Sequence, residues 1–386
     1  MTTLNFKDII KTKYYSTKHL GGKGYNLIKL TEGGFNVPQG FLITTEAFQK
    51  FINFEPQEKE KTVSEFIKEN LLTLKNKDDS WNTDLEVVSK IAEKIREKIV
   101  ESSLPEDLEK EILEKSHEGA SYAVRSSGTA EDTVDFSFAG QYETYLNIKT
   151  KNLMKYVKLC WASLFTERGI IYRSSNGFMD DDSNFTTEIC VVIQEMIHSE
   201  KSGVMFTANP VNGNRNIISI DACFGLGEAL VSGKTNADSY LISKKNFEIK
   251  SKILGDKKVS IIHLEEGGTK EIEIKEEEQK KFALEEKEII ELSKIGIEIE
   301  KMYQSIQDIE WGFWKGKFYV LQSRAVTSLY PMVSKPVHGL KESIESPTPK
   351  PYFDKHFRIY YSMNHAQVRR KIYSINFFFK DVSRSF

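Results

Sequence analysis

Cysteines are scarce in this sequence, and their positions do not suggest a disulfide framework or a metal site. There are three of them, Cys160, Cys190 and Cys223, and no two form a CxxC pair. Each lies in an apolar stretch, which is typical of buried thiols in a reducing compartment. We therefore expect a cytoplasmic protein without disulfides.

Long apolar runs and an excess of charge of one sign are also missing. No run approaches the roughly 18 residues of a membrane-spanning helix, and the N-terminus lacks the apolar core of a signal peptide. The 54 Lys and Arg residues nearly balance the 56 Asp and Glu residues, which gives a net charge of −2. We therefore expect neither a membrane nor a nucleic acid as a partner.

The pattern of apolar residues changes along the chain. Helical spacing is clear in one segment, at Val88, Ile91, Ile95 and Ile99. From residue 186 onward, runs of strand-forming residues alternate with turns and end in a hairpin, and a proline-containing stretch follows. We predict an α+β fold with an N-terminal lobe at 1–185, a β-rich lobe at 186–329, and a linker with the start of a further domain at 330–386.

Arg125 ends an apolar run and is followed by small side chains, "SSGT" at residues 126–129. A guanidinium fork beside backbone N–H groups suits a phosphate. The alternative is an ion pair between Arg125 and Glu131 or Asp132. The residues alone do not favour either interpretation.

Two glycine-rich stretches could also approach a phosphate. "GGKG" around Lys23 would let backbone and a lysine reach a ligand, although a surface turn is the alternative. "GLGEALVSGKT" at 225–235 nearly matches a P-loop, but Glu228 takes the place of the first glycine, and its carboxylate would repel phosphate. We predict a tight strand-to-helix turn there, and rank a P-loop using Lys234 last.

The last hairpin carries residue types that suit a metal beside phosphates. Its second strand is predicted to place four residues on one face: Phe318, Val320, Gln322 and Arg324. Glu310 on the first strand lies opposite Gln322 if the loop has three residues, 315–317. Glu and Gln oxygens are hard ligands, and Mg²⁺ accepts one or two of them together with nucleotide phosphates. A two-residue loop would instead put Glu310 and Gln322 on opposite faces.

Seven stretches of this sequence occur in the order found in one known family: "LGGKGYNL", "VPQGFLITTEAF", "AVRSSGTAEDTVDFSFAGQYETYLNI", "VVIQEMI", "SGVMFTANP", "GLGEALVSG" and "IEWGFWKGKFYVLQSRAVT". Together they resemble the N-terminal ATP-binding domain of the phosphoenolpyruvate synthase / pyruvate, phosphate dikinase family, a group that includes the rifamycin phosphotransferases. The resemblance covers residues 5–330. It implies an ATP-grasp fold that holds ATP and Mg²⁺ between two lobes.

The resemblance also implies roles for individual residues. Lys23 and Arg125 would contact phosphates, Gly140 and Thr144 would lie along the loop that covers the phosphates, and Gln194 would meet the adenine end.

In the last hairpin, the resemblance implies that Glu310 and Gln322 hold Mg²⁺ and that Arg324 contacts the phosphates. Lys23, Arg125 and Arg324 would be the catalytic side chains.

The family's phosphate-accepting histidine has no counterpart here. In the family, ATP gives its β-phosphate to a histidine in a "TSH"-like motif on a separate domain, and the γ-phosphate leaves as Pi. None of the seven histidines in this sequence has that context. We therefore expect a C-terminally truncated phosphotransferase that binds Mg-ATP and works with a phosphohistidine domain on a separate or missing segment.

Pyruvate is the expected final acceptor, with AMP and Pi as products. One alternative is a fragment of a rifamycin-type antibiotic phosphotransferase. Another is a non-catalytic nucleotide-binding module that acts with a partner chain.

Overall fold

A computed structural model describes residues 2–12, 15–55, 61–78, 80–129, 132–133, 136–137, 143–175, 179 and 188–326. Gly140 and the predicted linker at 330–386 lie outside these ranges. The strands are β1 Thr3–Asn5, β2 Gly40–Ile43, β3 Ser121–Gly128, β4 Asp132–Thr133, β5 Phe136–Ser137, β6 Thr144–Lys149, β7 Ile189–Glu195, β8 Lys201–Phe206, β9 Ile217–Phe224, β10 Asp238–Ser243, β11 Ile249–Ile253, β12 Val259–His263, β13 Thr269–Glu273, β14 Gln307–Trp314 and β15 Lys317–Ala325. The α-helices are α1 Phe6–Thr12, α2 Thr17–Glu32, α3 Thr45–Ile52, α4 Val63–Leu72, α5 Leu85–Glu101, α6 Glu106–Lys115, α7 Leu153–Ala162, α8 Glu167–Ser175, α9 Glu228–Val231, α10 Glu276–Gln279 and α11 Glu286–Tyr303.

The first sheet has five strands in the order β1-β2-β7-β3-β6, and all its neighbours are antiparallel. The predicted helix at Val88–Ile99 is α5, and it packs with the other helices on one face of this sheet. Alternate strand residues point into that helical core, among them Val124 of β3 and Ile193 of β7. The residues between them therefore point to the other face, where the candidate site lies.

The second sheet has six strands in the order β11-β10-β9-β8-β14-β15. One of its faces packs under α11, and Ile309 and Trp311 of β14 lie in that core. Helix α2 contributes Leu27 and Ile28 to the same core, which also includes Val192 from the first sheet. The two sheets and α2 thus share one apolar cluster.

Mixed helix and sheet content confirms the predicted α+β class. The sequence-based division at residue 185 assigns β7 to the β-rich lobe, whereas β7 pairs with β2 and β3 in the first sheet. A continuous apolar run identifies a buried strand but does not say which sheet will bury it. The division into lobes stays a prediction. No helix in the described ranges is both long and apolar enough to span a membrane.

Candidate functional site

Arg125 and Gln194 lie on adjacent strands of the first sheet, on the face opposite the helices. The strand register pairs Arg125 of β3 with Val192 of β7 and Ala123 with Gln194, so both side chains have the same orientation. Both are buried, at 6% and 2% exposure. A buried guanidinium needs hydrogen-bond partners that can balance its charge, and the second sheet supplies them.

The last hairpin places Glu310 directly opposite Gln322. Of the two loop lengths considered, the structure has the shorter: Lys315 and Gly316 form a two-residue turn, with φ of 49° and 73°, which suits the twist of a hairpin. The expectation that such a turn would put Glu310 and Gln322 on opposite faces was wrong. The register follows that turn as far as the Trp311–Val320 pair and then shifts, so that Leu321 is an extra residue on β15. A β-bulge, and not the loop length, brings the two side-chain oxygens together.

The bulge also changes which residues of β15 share a face, and the predicted single row was wrong. Phe318 and Val320 lie in the apolar core together with Trp311. Gln322 lies opposite Glu310 and therefore points away from that core. An inserted residue reverses the alternation of every residue beyond it, so Gln322 and Arg324 form a separate polar face.

Arg125 joins the two sheets through its guanidinium group. Its Nη2 donates to Gln322 Oε1 at 2.7 Å and to Glu310 Oε2 at 3.2 Å. Its Nη1 donates to the backbone carbonyl of Leu321 at 2.8 Å and to Gln194 Oε1 at 3.4 Å. The ion pair of Arg125 is thus formed with Glu310, and four of the residues singled out in the sequence meet at one place.

Two polar atoms in this cluster have no hydrogen-bond partner among the described residues. They are Nε of Arg125 and Nε2 of Gln194, and both are buried donors. Buried donors without a partner are costly in free energy, and a bound ligand with acceptor oxygens or nitrogens would satisfy them. Gln194, which the resemblance assigns to the adenine end, lies beside Arg125, which it assigns to the phosphates.

The backbone next to Lys23 is pinned to β3. Gly21 has φ of 65° and ψ of 174° and kinks α2. Ser127, two residues after Arg125 on β3, donates from Oγ to the Leu20 carbonyl at 3.0 Å and accepts at Oγ from the Gly24 N–H at 3.1 Å. Lys23 thus lies in a kinked helix and not in a turn, and this part of α2 is fixed to the same strand as Arg125.

Thr144 is the first residue of β6 and pairs directly with Arg125 in the register. It is exposed, and it has the same side-chain orientation as Arg125. Gly140, its proposed neighbour in the phosphate-covering loop, lies outside the described residues.

Arg324 is paired with a residue that the sequence analysis missed. Nε and Nη2 of Arg324 both donate to Oδ2 of Asp308, at 3.0 and 2.9 Å. Asp308 lies two residues before Glu310 on β14, on the same polar face, and it is directly opposite Arg324. The alternation Asp308–Glu310 was visible in the sequence and could have identified it.

Lys234 lies in a solvent-exposed environment. The predicted strand-to-helix turn is present, since β9 ends at Phe224 and the four-residue helix α9 begins at Glu228. The Lys234 ammonium group donates to Glu271 of β13 at 2.8 Å, and both side chains are about half exposed. The described structure thus gives Lys234 a surface ion pair.

Comparisons with known proteins identify the family of the chain. The family model "Pyruvate phosphate dikinase, AMP/ATP-binding domain" matches residues 17–342. The chain belongs to this family. A rifampicin phosphotransferase of Bacillus cereus is 42% identical over 334 residues, which cover 85% of this chain. A probable phosphoenolpyruvate synthase of Methanocaldococcus jannaschii is 41% identical over 318 residues, which cover 80% of it.

These relatives are much longer than the aligned region. The match covers 36% of the Bacillus cereus protein and 25% of the Methanocaldococcus jannaschii protein. The family and the relatives confirm the recognition made from the sequence motifs. They support an AMP/ATP-binding domain of the kind found in phosphotransferases.

Proposed function

We propose that this chain is the ATP-binding part of a phosphotransferase, with an ATP-grasp fold that holds Mg-ATP between two lobes. The observation that carries the proposal is the meeting of Arg125 from the first sheet with Glu310 and Gln322 from the second. The family description as an AMP/ATP-binding domain supports the choice of nucleotide.

The residues present fit the proposed ligands. The partnerless donors of Arg125 and Gln194 suit a ligand rich in acceptors, as ATP is. Glu310 and Gln322 offer a carboxylate and an amide oxygen, which are ligands that Mg²⁺ accepts. No group of three or more His, Cys, Asp or Glu residues in the described ranges could hold a metal, so we expect the metal to bind together with the nucleotide.

Each proposed residue has a distinct task. Lys23 and Arg125 bind phosphates, and Arg324, aligned by its two bonds to Asp308, contacts them from the second sheet. Glu310 and Gln322 would hold Mg²⁺, which would neutralise phosphate charge when bound.

Three further contacts are proposed. Gly140 and Thr144 lie along the loop that covers the phosphates. Gln194 contacts the adenine end.

A histidine on a separate domain is the proposed acceptor of the β-phosphoryl group of ATP. The γ-phosphoryl group leaves as Pi, AMP remains, and the phosphohistidine passes its phosphoryl group on to the final acceptor. Pyruvate is the proposed final acceptor, in line with the relative named as a probable phosphoenolpyruvate synthase at 41% identity. A rifamycin is the second candidate, because the relative named as a rifampicin phosphotransferase is 42% identical.

Calorimetric titration with Mg-ATP tests the nucleotide site. We expect Lys23→Ala to weaken ATP binding about tenfold or more, because a charge-assisted contact to phosphate contributes about 1.5–3 kcal/mol. Lys234→Ala is the matched control, since it removes the same charge from a surface ion pair with Glu271. Loss of ATP binding in the Lys234 variant alone would favour the P-loop and overturn the proposed site.

A further inference from the structure

The β-bulge at Leu321 supplies a hydrogen-bond acceptor inside the candidate site. Because a bulged residue is left out of the strand ladder, its backbone groups can bond elsewhere. The Leu321 carbonyl accepts from Nη1 of Arg125 at 2.8 Å. This oxygen carries no titratable proton, so it fixes one end of the guanidinium at any pH and leaves Nη2 to face Glu310 and Gln322.

The bulge is not required by the hairpin turn. A two-residue turn continued in regular register would pair Glu310 with Leu321 and turn Gln322 toward the apolar core. A shift of one residue moves a whole strand to the opposite face. Whether the two oxygens of the proposed metal site meet therefore depends on the bulge staying at Leu321.

Asn36 holds β15 immediately before the bulge. Among the described strands, β15 is the outermost of the second sheet, so none of them pairs with its outward backbone groups. Asn36, in the segment between α2 and β2, takes that place: its backbone carbonyl accepts from the Val320 N–H at 2.9 Å. Its Nδ2 donates to the Phe318 carbonyl at 2.7 Å.

These two bonds fix the last regular residues of β15 on one side of Leu321. On the other side, Ser323 Oγ donates to Gln307 Oε1 at 2.8 Å and fixes the register after the bulge. With the strand held on both sides, the extra residue is confined to the two positions between Val320 and Ser323, and it falls at Leu321 because Gln322 pairs with Glu310. Asn36 belongs to the segment that leads into the first sheet, so it also ties the hairpin to the strands that carry Arg125 and Gln194.

We propose that Asn36 is a positioning residue: it holds the β-bulge at Leu321, and the bulge in turn keeps Glu310 opposite Gln322 and directs Arg125 toward them. The inference rests on the proposed function, because it assigns Asn36 to the metal–nucleotide site. Asn36 acts through the hairpin and touches neither ligand.

The test compares ATP affinity with and without metal. ATP is titrated into the full chain once with EDTA and once with Mn²⁺. The Kd in EDTA divided by the Kd in Mn²⁺ measures how much the metal strengthens ATP binding. Asn36→Asp removes the N–H donor and places a carboxylate next to the Phe318 carbonyl, so that two acceptors repel each other where a hydrogen bond stood. We expect this ratio to fall about threefold to tenfold, the size of one hydrogen bond.

Asn53→Asp is the matched control. The exposed Asn53 at the end of α3 also donates from Nδ2 to a backbone carbonyl, that of Gln49, at 2.9 Å. Its substitution makes the same change of charge and loses the same kind of bond, and the ratio should stay at the wild-type value. Asn36→Ala is the milder second variant and should lower the ratio in the same direction if Asn36→Asp fails to fold.

The outcomes separate the two proposals. If the wild-type chain binds no Mn-ATP, the proposed function fails and the positioning role fails with it. If the wild type binds Mn-ATP and both Asn36 variants keep the wild-type ratio, only the positioning role of Asn36 is overturned. A ratio that falls equally in Asn36→Asp and Asn53→Asp also overturns it, since charge alone would then explain the change.

Discussion

The two oxygens proposed for the metal are both bonded to one cation of the protein itself. Arg125 Nη2 donates to Gln322 Oε1 and Glu310 Oε2, so a metal entering without nucleotide must displace the guanidinium from both. We predict that Arg125→Met raises the affinity of the nucleotide-free protein for Mn²⁺, because it removes this competitor.

The size of the effect follows from the bonds that have to be exchanged. Hydrogen bonds to charged groups contribute about 1.5–3 kcal/mol each, and Arg125 keeps its bond to the Leu321 carbonyl during the exchange. The Glu310 side chain is 33% exposed, so solvent screens its share and favours the lower end of that range. One such bond at the lower end, about 1.5 kcal/mol, sets the smallest expected change, which is about tenfold tighter Mn²⁺ binding.

Electron paramagnetic resonance of free Mn²⁺ measures this binding directly. The same titration with ATP present should change in the opposite direction, because Arg125→Met then removes a phosphate contact. Arg96→Met is the control: it deletes a partly exposed arginine paired with Glu167 at 3.5 Å, and should change neither titration. Unchanged or weaker Mn²⁺ binding to the nucleotide-free Arg125 variant would refute the competition.

Two further predictions concern stability. Gly21→Ala should lower the free energy of unfolding, measured in urea, by about 3 kcal/mol, and the control Gly34→Ala should lower it by about 1 kcal/mol. Both glycines have positive φ, but only a Cβ added at Gly21 would overlap Ser127. Equal losses of stability in the two variants would exclude the overlap as the cause. Burial, together with the charges of its neighbours, lowers the pKa of His198, so unfolding takes up a proton and the free energy of unfolding should fall as the pH drops through about 6.5. Thermal melting of His198→Gln at several pH values should show a weaker pH dependence than the wild type, whereas the control His117→Gln, at an exposed site, should keep the full dependence. An equal pH dependence in the two variants would contradict the assignment to His198.

The meeting of Glu310 with Gln322 was predictable from the sequence, but its cause was not. Residue types and the family resemblance indicated which two oxygens belong together, whereas regular strand alternation across the two-residue turn would have put them on opposite faces. A bulge, however, is set by contacts made far along the chain, here with Arg125 and Asn36. Local strand alternation carries no information about such contacts.

Prediction of which sheet each strand joins failed for the same reason. β7 was recognisable as buried from its apolar run, yet its position between β2 and β3 depends on pairing across the whole first half of the chain. Asp308 was missed for a different reason, because its meaning becomes visible only once Arg324 is known to lie opposite. The family motifs indicated the candidate site residues, and tertiary contacts decide how these residues are held.

The central position of β7 has a consequence for how the protein is made. Strands β1, β2, β3 and β6 all leave the ribosome before the strand that joins them. Until Glu195 has emerged, the described strands of the first sheet can form only the separate pairs β1–β2 and β3–β6, each with an open edge. Open edges are prone to pair with other chains. An expression fragment cut at residue 185 would keep those edges permanently, whereas one that continues through β7 can close the first sheet.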